Sequence, residues 1–284
     1  MNNDIFPCLW CNGDAKEAAE FYCQVFGGKI TVDTPVVINI ELFGQKLMLL
    51  NAGPQFEKNP SISFLINCAS EEDVQHYWDL LSEDGMALME LDSYPWSKKY
   101  GWIKDKYGTT WQLYFGEMQE QRLVPTLMFM HQNNGKAMEA MEFYTSTFPN
   151  SKIEGVLKYK DGGENGENPE NVQHAQFVIN NYMLSCMDSS FDHKFDFNEG
   201  ISLVMMTNDQ EGTDHFWNTL ISGGGRESMC GWLKDRYGVS WQIVPKTLIE
   251  LMNDTDPAKS QKVVQAMLKM QKIIIADLET AYNS

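Results

Sequence analysis

The sequence lacks the features that would direct a chain into a membrane, onto a nucleic acid or into an oxidising compartment. No apolar run approaches the roughly 18 residues that a membrane-spanning helix needs. The opening Met1-Asn-Asn-Asp4 has no basic stretch leading into an apolar core, so no secretory leader is expected. Basic residues are outnumbered, 22 Lys and Arg against 39 Asp and Glu, for a net charge of −17. That balance argues against nucleic acid and against an anionic membrane surface, both of which need a basic face. Cysteine is sparse, at six residues. Cys8 and Cys11 have C-x-x-C spacing, but no second pair completes a zinc site. They also fall in an expected strand, where residues three apart face opposite sides. The six are read as reduced, mostly buried thiols of a cytoplasmic protein. Three catalytic signatures are missing too: a nucleophile elbow, a phosphate-binding loop and a His-Glu-x-x-His pair.

What the chain does have is an internal repeat. Gly101-Trp-Ile-Lys-Asp-Lys-Tyr-Gly-Thr-Thr-Trp-Gln-Leu-Tyr-Phe115 recurs as Gly231-Trp-Leu-Lys-Asp-Arg-Tyr-Gly-Val-Ser-Trp-Gln-Ile-Val-Pro245, with eight of fifteen positions identical and four more conservative. Such a match marks a duplicated domain, and 284 residues suit two domains. With 43% hydrophobic and 12% aromatic residues the chain can pack two cores. Asp105 to Gly108 and Asp235 to Gly238 read as turns opened by Asp and closed by Gly. A β-rich run follows each turn. In the first, Thr109, Trp111, Leu113 and Phe115 share one face and Thr110, Gln112 and Tyr114 the other. Gln112 and Gln242 are therefore single amides in apolar strands. Each is either a surface group or a polar group lining a concave sheet.

Read in order, the chain gives a strand at 5–11, a helix from an Asp14 cap to about 26, and strands at 29–32, 35–42 and 46–51. The pattern restarts with a strand at 61–68 and a helix opened by a Ser70 capping box. A short strand at 86–90, a loop at 92–99 and the Trp102 hairpin complete it. Each half of the first copy is thus a βαβββ module. Residues 1–118 form the first domain and 119–123 a linker. The second domain, 124–250, repeats the order, with a flexible solvated insert at 160–169. Ser61-Ile-Ser-Phe is matched by Gly200-Ile-Ser-Leu, and His76-Tyr-Trp by His215-Phe-Trp. The tail, 257–284, has no counterpart in the first copy. Val263, Met267, Met270, Ile274, Leu278 and Ala281 give it an amphipathic helical stripe, expected to dock on the body or on a partner subunit.

Together these motifs resemble the vicinal oxygen chelate superfamily, which includes glyoxalase I, fosfomycin-resistance and bleomycin-binding proteins and extradiol dioxygenases. More narrowly, four stretches are similar to its PhnB-like branch: Ala18-Ala-Glu-Phe-Tyr22, Phe43-Gly-Gln-Lys46, the two Gly-Trp-x-Lys-Asp-x-Tyr-Gly-x-x-Trp-Gln hairpins and Met270-Gln-Lys-Ile-Ile-Ile-Ala-Asp-Leu-Glu279. That branch often carries the label 3-demethylubiquinone-9 3-methyltransferase. The resemblance implies an α+β fold of tandem glyoxalase-like domains, each of two βαβββ modules forming a curled mixed sheet with flanking helices, plus a C-terminal helix. It also implies a homodimer. Whether modules pair within a domain, between domains or between subunits is left open. A methyltransferase would need a Gly-rich strand-to-helix turn for S-adenosylmethionine. The sequence offers only Gly223-Gly-Gly225, ahead of the second hairpin.

Catalytic members of the superfamily hold a divalent metal in the cup of the sheet. The resemblance places its slots at Leu9, Trp10, Leu50, Asn51, Phe64, Ile66 and Gln112 in the first copy. In the second they fall at Met128, Met130, Ser185, Met187, Leu203, Met205 and Gln242. These are poor ligands for zinc, iron or manganese, so neither metal nor cofactor is expected. An apolar, aromatic cup with few polar groups is the usual make-up of a small-molecule pocket. Its expected lining is Trp10, Phe64, Trp111 and Gln112 in the first copy and Met128, His174, Trp241 and Gln242 in the second. The tryptophans suit equally a core between helix and sheet. The expected function is metal-free binding of a small apolar or aromatic molecule. The alternative is a metal-dependent lyase, isomerase or dioxygenase, with His131, His174 and Gln242, joined by Glu154 and Asp188, around the metal.

Overall fold

The computed structural model describes residues 4–117, 120–160 and 166–284. The central part of the insert expected at 160–169, and part of the linker, lie outside the described residues. Four βαβββ modules follow one another. The first is β1 (Ile5–Cys11), α1 (Ala15–Phe26), β2 (Lys29–Asp33), β3 (Val37–Leu42) and β4 (Gln45–Asn51). The second is β5 (Ile62–Cys68), α2 (Glu71–Leu81), β6 (Met86–Tyr94), β7 (Ser97–Lys104) and β8 (Thr110–Phe115). The third is β9 (Leu123–Met130), a 3-10 turn at His131–Asn133, α3 (Ala137–Thr147), β10 (Lys152–Lys158), β11 (Val172–Ile179) and β12 (Tyr182–Ser189). The fourth is β13 (Ile201–Thr207), α4 (Gln210–Ile221), β14 (Arg226–Glu227), β15 (Trp232–Lys234) and β16 (Ser240–Pro245), followed by α5 (Lys246–Met252), α6 (Pro257–Met267) and α7 (Ile275–Asn283). No described helix is long and apolar enough to cross a membrane.

The chain divides into two compact units, Pro7–Ile201 and Ser202–Ser284, the latter with the segment up to Phe6. In the first unit the second and third modules share one sheet, in the order β10-β11-β12-β9-β5-β8-β7-β6. Its seam is the antiparallel pair β5–β9, flanked by the parallel pairs β5–β8 and β9–β12. Modules of different sequence copies therefore pair across the repeat boundary, which answers the question that the sequence left open. The same unit holds β1-β4-β3-β2, and the second unit holds β14-β15-β16-β13.

One face of the eight-stranded sheet is covered by α2, over β5, β7 and β8, and by α3, over β10 to β12. Beneath the helices, Trp111 meets Tyr22, Phe26 and Phe64 at ring distances of 5.1, 4.8 and 5.3 Å. Each ring of this size removed from water contributes about 2–3 kcal/mol. Gly101 belongs to this packing, since a Cβ there would lie 2.5 Å from the Trp78 ring of α2.

The repeated motif owes its form to its aspartate. Asp105 Oδ1 accepts from the Tyr107 and Thr109 amides, at 2.8 and 3.0 Å, and Oδ2 from Trp111 Nε1 at 2.7 Å. Asp235 does the same for Tyr237, Val239 and Trp241, at 2.9, 3.1 and 2.9 Å. The Gly108 and Gly238 amides close the turns onto the carbonyls of these aspartates, at φ of 81° and 91°. One carboxylate thus satisfies the turn and locks the indole into the core.

Three expectations are corrected. Asp14 does not cap α1 through its side chain; it accepts instead from the Asn12 amide, and Asn51 Oδ1 caps Ala15 at 3.1 Å. The loop expected at 92–99 is the end of a longer hairpin, because β6 runs to Tyr94 and β7 starts at Ser97. Three register shifts along that pair hide the strand's alternation. The tail helix expected over 257–284 is two helices. Its break, residues 268–274, uses backbone carbonyls as outside acceptors: Met270 O and Gln271 O take the Cys230 and Gly231 amides at 2.7 and 2.8 Å. Ile273 O takes Gln210 Nε2, and the Ile275 amide donates to Gln210 Oε1.

Candidate binding site on the sheet

Strand alternation puts a row of short polar side chains on the face of the eight-stranded sheet away from α2 and α3. Lys104 pairs with Thr110, Ser63 with Thr126, Thr126 with Ser185 and Ser185 with Gln176. Thr110 and Ser63 are adjacent because each precedes a member of the pair Trp111–Phe64. The row thus crosses β7, β8, β5, β9, β12 and β11. In the next row Trp102 faces Gln112, Gln112 faces Leu65, and Leu65 faces Val124.

Gln112 links the two rows. Its Nε2 donates to Ser63 Oγ at 2.7 Å, and its Oε1 accepts from Tyr100 OH at 2.8 Å. This polar chain is embedded in an apolar cluster of Leu65, Tyr100 and Val124, packed by Met89, Tyr94, Trp102, Tyr114 and Met183. Across the seam, Ser185 Oγ donates to Ala175 O at 2.9 Å and lies 3.5 Å from His174 Nδ1. Two groups are left over. Thr110 Oγ1 and Trp102 Nε1 are buried with no hydrogen-bond partner among the described residues. A buried orphan donor is costly and is normally met by water or ligand.

Apart from Lys104 at its edge, the described side chains of the row are uncharged. Burial pushes the Tyr100 phenol well above its ordinary value, so it stays a donor. Burial also lowers the pKa of His174 below 6.5, favouring the uncharged imidazole. Lys104, at the edge, is the row's one charged side chain. The arrangement can accept and donate hydrogen bonds within an apolar surround.

The second unit repeats the core of this pattern. Lys234 pairs with Ser240, Ser240 with Ser202, and Trp232 with Gln242. Gln242 Nε2 donates to Ser202 Oγ at 3.0 Å, and Ser240 Oγ is again buried without a partner among the described residues. The orphan hydroxyl recurs two residues before the glutamine in both copies.

Of the residues expected from sequence, the first-unit sheet brings Gln112, Met128 and His174 onto one face, Met128 through its pairing with Met187. Gln242 holds the same position in the second unit. Trp10 shares a face of β1 with its partner Leu50, with Nε1 donating to Gly53 O at 2.7 Å. Phe64 and Trp111 lie under the helices, and Trp241 is fully buried on its aspartate, paired with Leu203 and Leu233. Sequence reasoning passed over Ser63, Ser202, Tyr100 and Thr126. The repeat of Ser63 as Ser202 in the matched Ile-Ser pairs was the available signal.

A divalent metal does not fit these side chains. Strand alternation turns Phe64 and Ile66 toward the helices. What faces the cup on β5, β8, β9 and β12 is Ser63, Leu65, Gln112, Tyr114, Thr126, Met128, Ser185 and Met187, all neutral. No three His, Cys, Asp or Glu side chains among the described residues are placed to share an ion. The alternative cluster is otherwise engaged: His131 Nε2 is 3.0 Å from Phe195 O, Glu154 pairs with Lys152, and Asp188 accepts from the Gly135, Ala137 and Val172 amides. S-adenosylmethionine does not fit the glycine run either. Gly223 to Gly225 leave a helix and enter a hairpin, and a Cβ at Gly225 would lie 2.6 Å from Ile221 and 2.7 Å from Lys234 O.

Paired βαβββ modules around a sheet with one helix-covered face define the vicinal oxygen chelate class. The chain belongs to the family described as 3-demethylubiquinone-9 3-methyltransferase, whose model matches residues 3–114 and 121–244. A PhnB protein of Bacillus cereus is 33% identical over 38% of this chain and 96% of its own, with a TM-score of 0.36. Glyoxalase I of Zea mays, at 13% identity, covers 86% of this chain and 94% of its own with a TM-score of 0.56, a likeness of fold alone. None of the curated proteins matches.

Proposed function

We propose that the chain binds a small, uncharged apolar or aromatic molecule on the polar row of the first-unit sheet, without a metal. The observation that carries this reading is the Tyr100–Gln112–Ser63 chain, neutral throughout and set among Leu65, Val124, Met89 and Met183. A few placed polar groups in an apolar surround fix the orientation of a ligand whose binding is driven by burial of its rings. The orphan Thr110 hydroxyl and Trp102 indole N–H supply donors for a ligand oxygen. A methyltransferase reading is not favoured, because Gly223 to Gly225 lead from α4 into β14, the reverse of the strand-to-helix turn that cradles the methyl donor.

The test is a thermal-shift screen of uncharged aromatic compounds, repeated on Gln112→Leu. Hits should raise the Tm of the parent and lose about tenfold in affinity in the variant, the cost of one or two hydrogen bonds to a buried partner. Hits that bind Gln112→Leu as tightly as the parent would remove the site from this row.

A further inference from the structure

Outside the polar row, the tip of the β6–β7 hairpin borders a cavity of about 350 Å³ against the end of β8. Tyr94, Trp96, Tyr114 and Phe115 supply its aromatic walls, and Lys98 is the one charged side chain among the described residues that line it. Trp96 stacks on Tyr94 with ring centroids 5.0 Å apart and planes at 21°. Tyr100 meets both rings nearly edge-on, at 5.6 and 5.8 Å. The tip is fixed in place: Ser97 Oγ donates to Phe115 O at 2.8 Å, and Tyr94 OH to Glu90 O at 3.0 Å. Gly116 keeps the wall open, since a Cβ there would lie 2.2 Å from the Tyr114 ring. Yet Trp96 is 47% exposed, which leaves a large braced aromatic surface facing solvent beside a lysine with no ion-pair partner among the described residues.

We propose that this tip is a second binding site, for a planar aromatic carboxylate whose rings lie against Trp96 and whose carboxylate meets the Lys98 ammonium. Three observations support the choice of ligand. The cavity falls within the range of small-ligand pockets and suits one or two fused rings. Its walls are π surfaces fixed before binding, so stacking costs little ordering. Among the described residues that line it the only charge is positive, in a chain of net charge −17; the carboxylates of Glu90 and Asp92 on β6 do not line it. The corresponding hairpin of the second unit begins with the two-residue strand β14, so the described residues of that copy hold no equivalent tip. It does not rest on the reading of the polar row.

Isothermal titration calorimetry of the full chain with 2-naphthoate tests the proposal, with Trp96→Leu and Lys98→Glu as variants and 2-naphthylmethylammonium as the opposite-charge probe. One site per chain is expected, weakened about tenfold by Trp96→Leu and about fivefold by Lys98→Glu. The ammonium probe should bind more weakly than the carboxylate. Equal binding by Trp96→Leu and the parent would overturn the site. Tighter binding of the ammonium probe would overturn its charge preference.

Discussion

Gln112 and Gln242 show what a single residue's context decides. Their place in the repeat was legible, and alternation separated them from the neighbouring tryptophans. The sequence could not supply the partners, Ser63 and Tyr100 for Gln112 and Ser202 for Gln242, because a hydrogen bond between strands 49 residues apart depends on register. Nor could composition divide the aromatic residues between wall and core. Trp111, Trp241 and Phe64 suit both, and burial against Asp105, Asp235 and α1 is a tertiary fact. His174 makes the stability of the fold depend on pH. Burial lowers its pKa below the ordinary 6.5, so between the lowered value and 6.5 the unfolded chain binds more protons than the native one. Stability therefore rises with pH through that window and is lost as pH falls through it. Burial lowers the pKa of His193 as well, so two groups contribute. The Tm should fall between about pH 7.5 and about pH 5.5, and His174→Asn should shrink the fall without abolishing it. A His174→Asn variant whose Tm fell as steeply as the parent's would contradict the assignment.

At the scale of elements, the Asp-x-Tyr-Gly-x-x-Trp turn is the most self-contained piece of the fold. Its residues lie within seven positions, so the turn could be read directly; the aspartate's bond to the indole could not. The two expectations that changed at this scale, the loop at 92–99 and the continuous tail helix, share a cause. In each, backbone groups find partners outside the local pattern: bulged pairing in β6–β7, and the 268–274 carbonyls serving the Cys230 loop and Gln210. Periodicity cannot report such partners. The turn gives a quantitative expectation. Asp105→Ala strands three buried donors and should cost about 3–5 kcal/mol in urea unfolding, and Asp235→Ala about the same. A loss under about 1 kcal/mol in either would mean that the carboxylate does not organise its turn.

For the molecule as a whole, the duplication, the four βαβββ modules and the α+β class were all legible, because repeats and periodicity are local. The pairing of the second module with the third was not. Strand β5 carries no mark of which edge it will meet, and β8 and β9 both satisfy it. Family likeness alone would suggest a metal in the cup, and the side chains that face it on β5, β8, β9 and β12 are hydroxyls, amides, thioethers and hydrocarbon. Metal content by ICP mass spectrometry, on untagged protein incubated with Zn, Mn, Fe or Ni and then desalted, separates the two most directly. Well under one ion per chain is expected for every metal, with no change in Gln112→Leu. About one ion per chain, tightly held and lost in Gln112→Leu, would contradict it and make the row a metal centre.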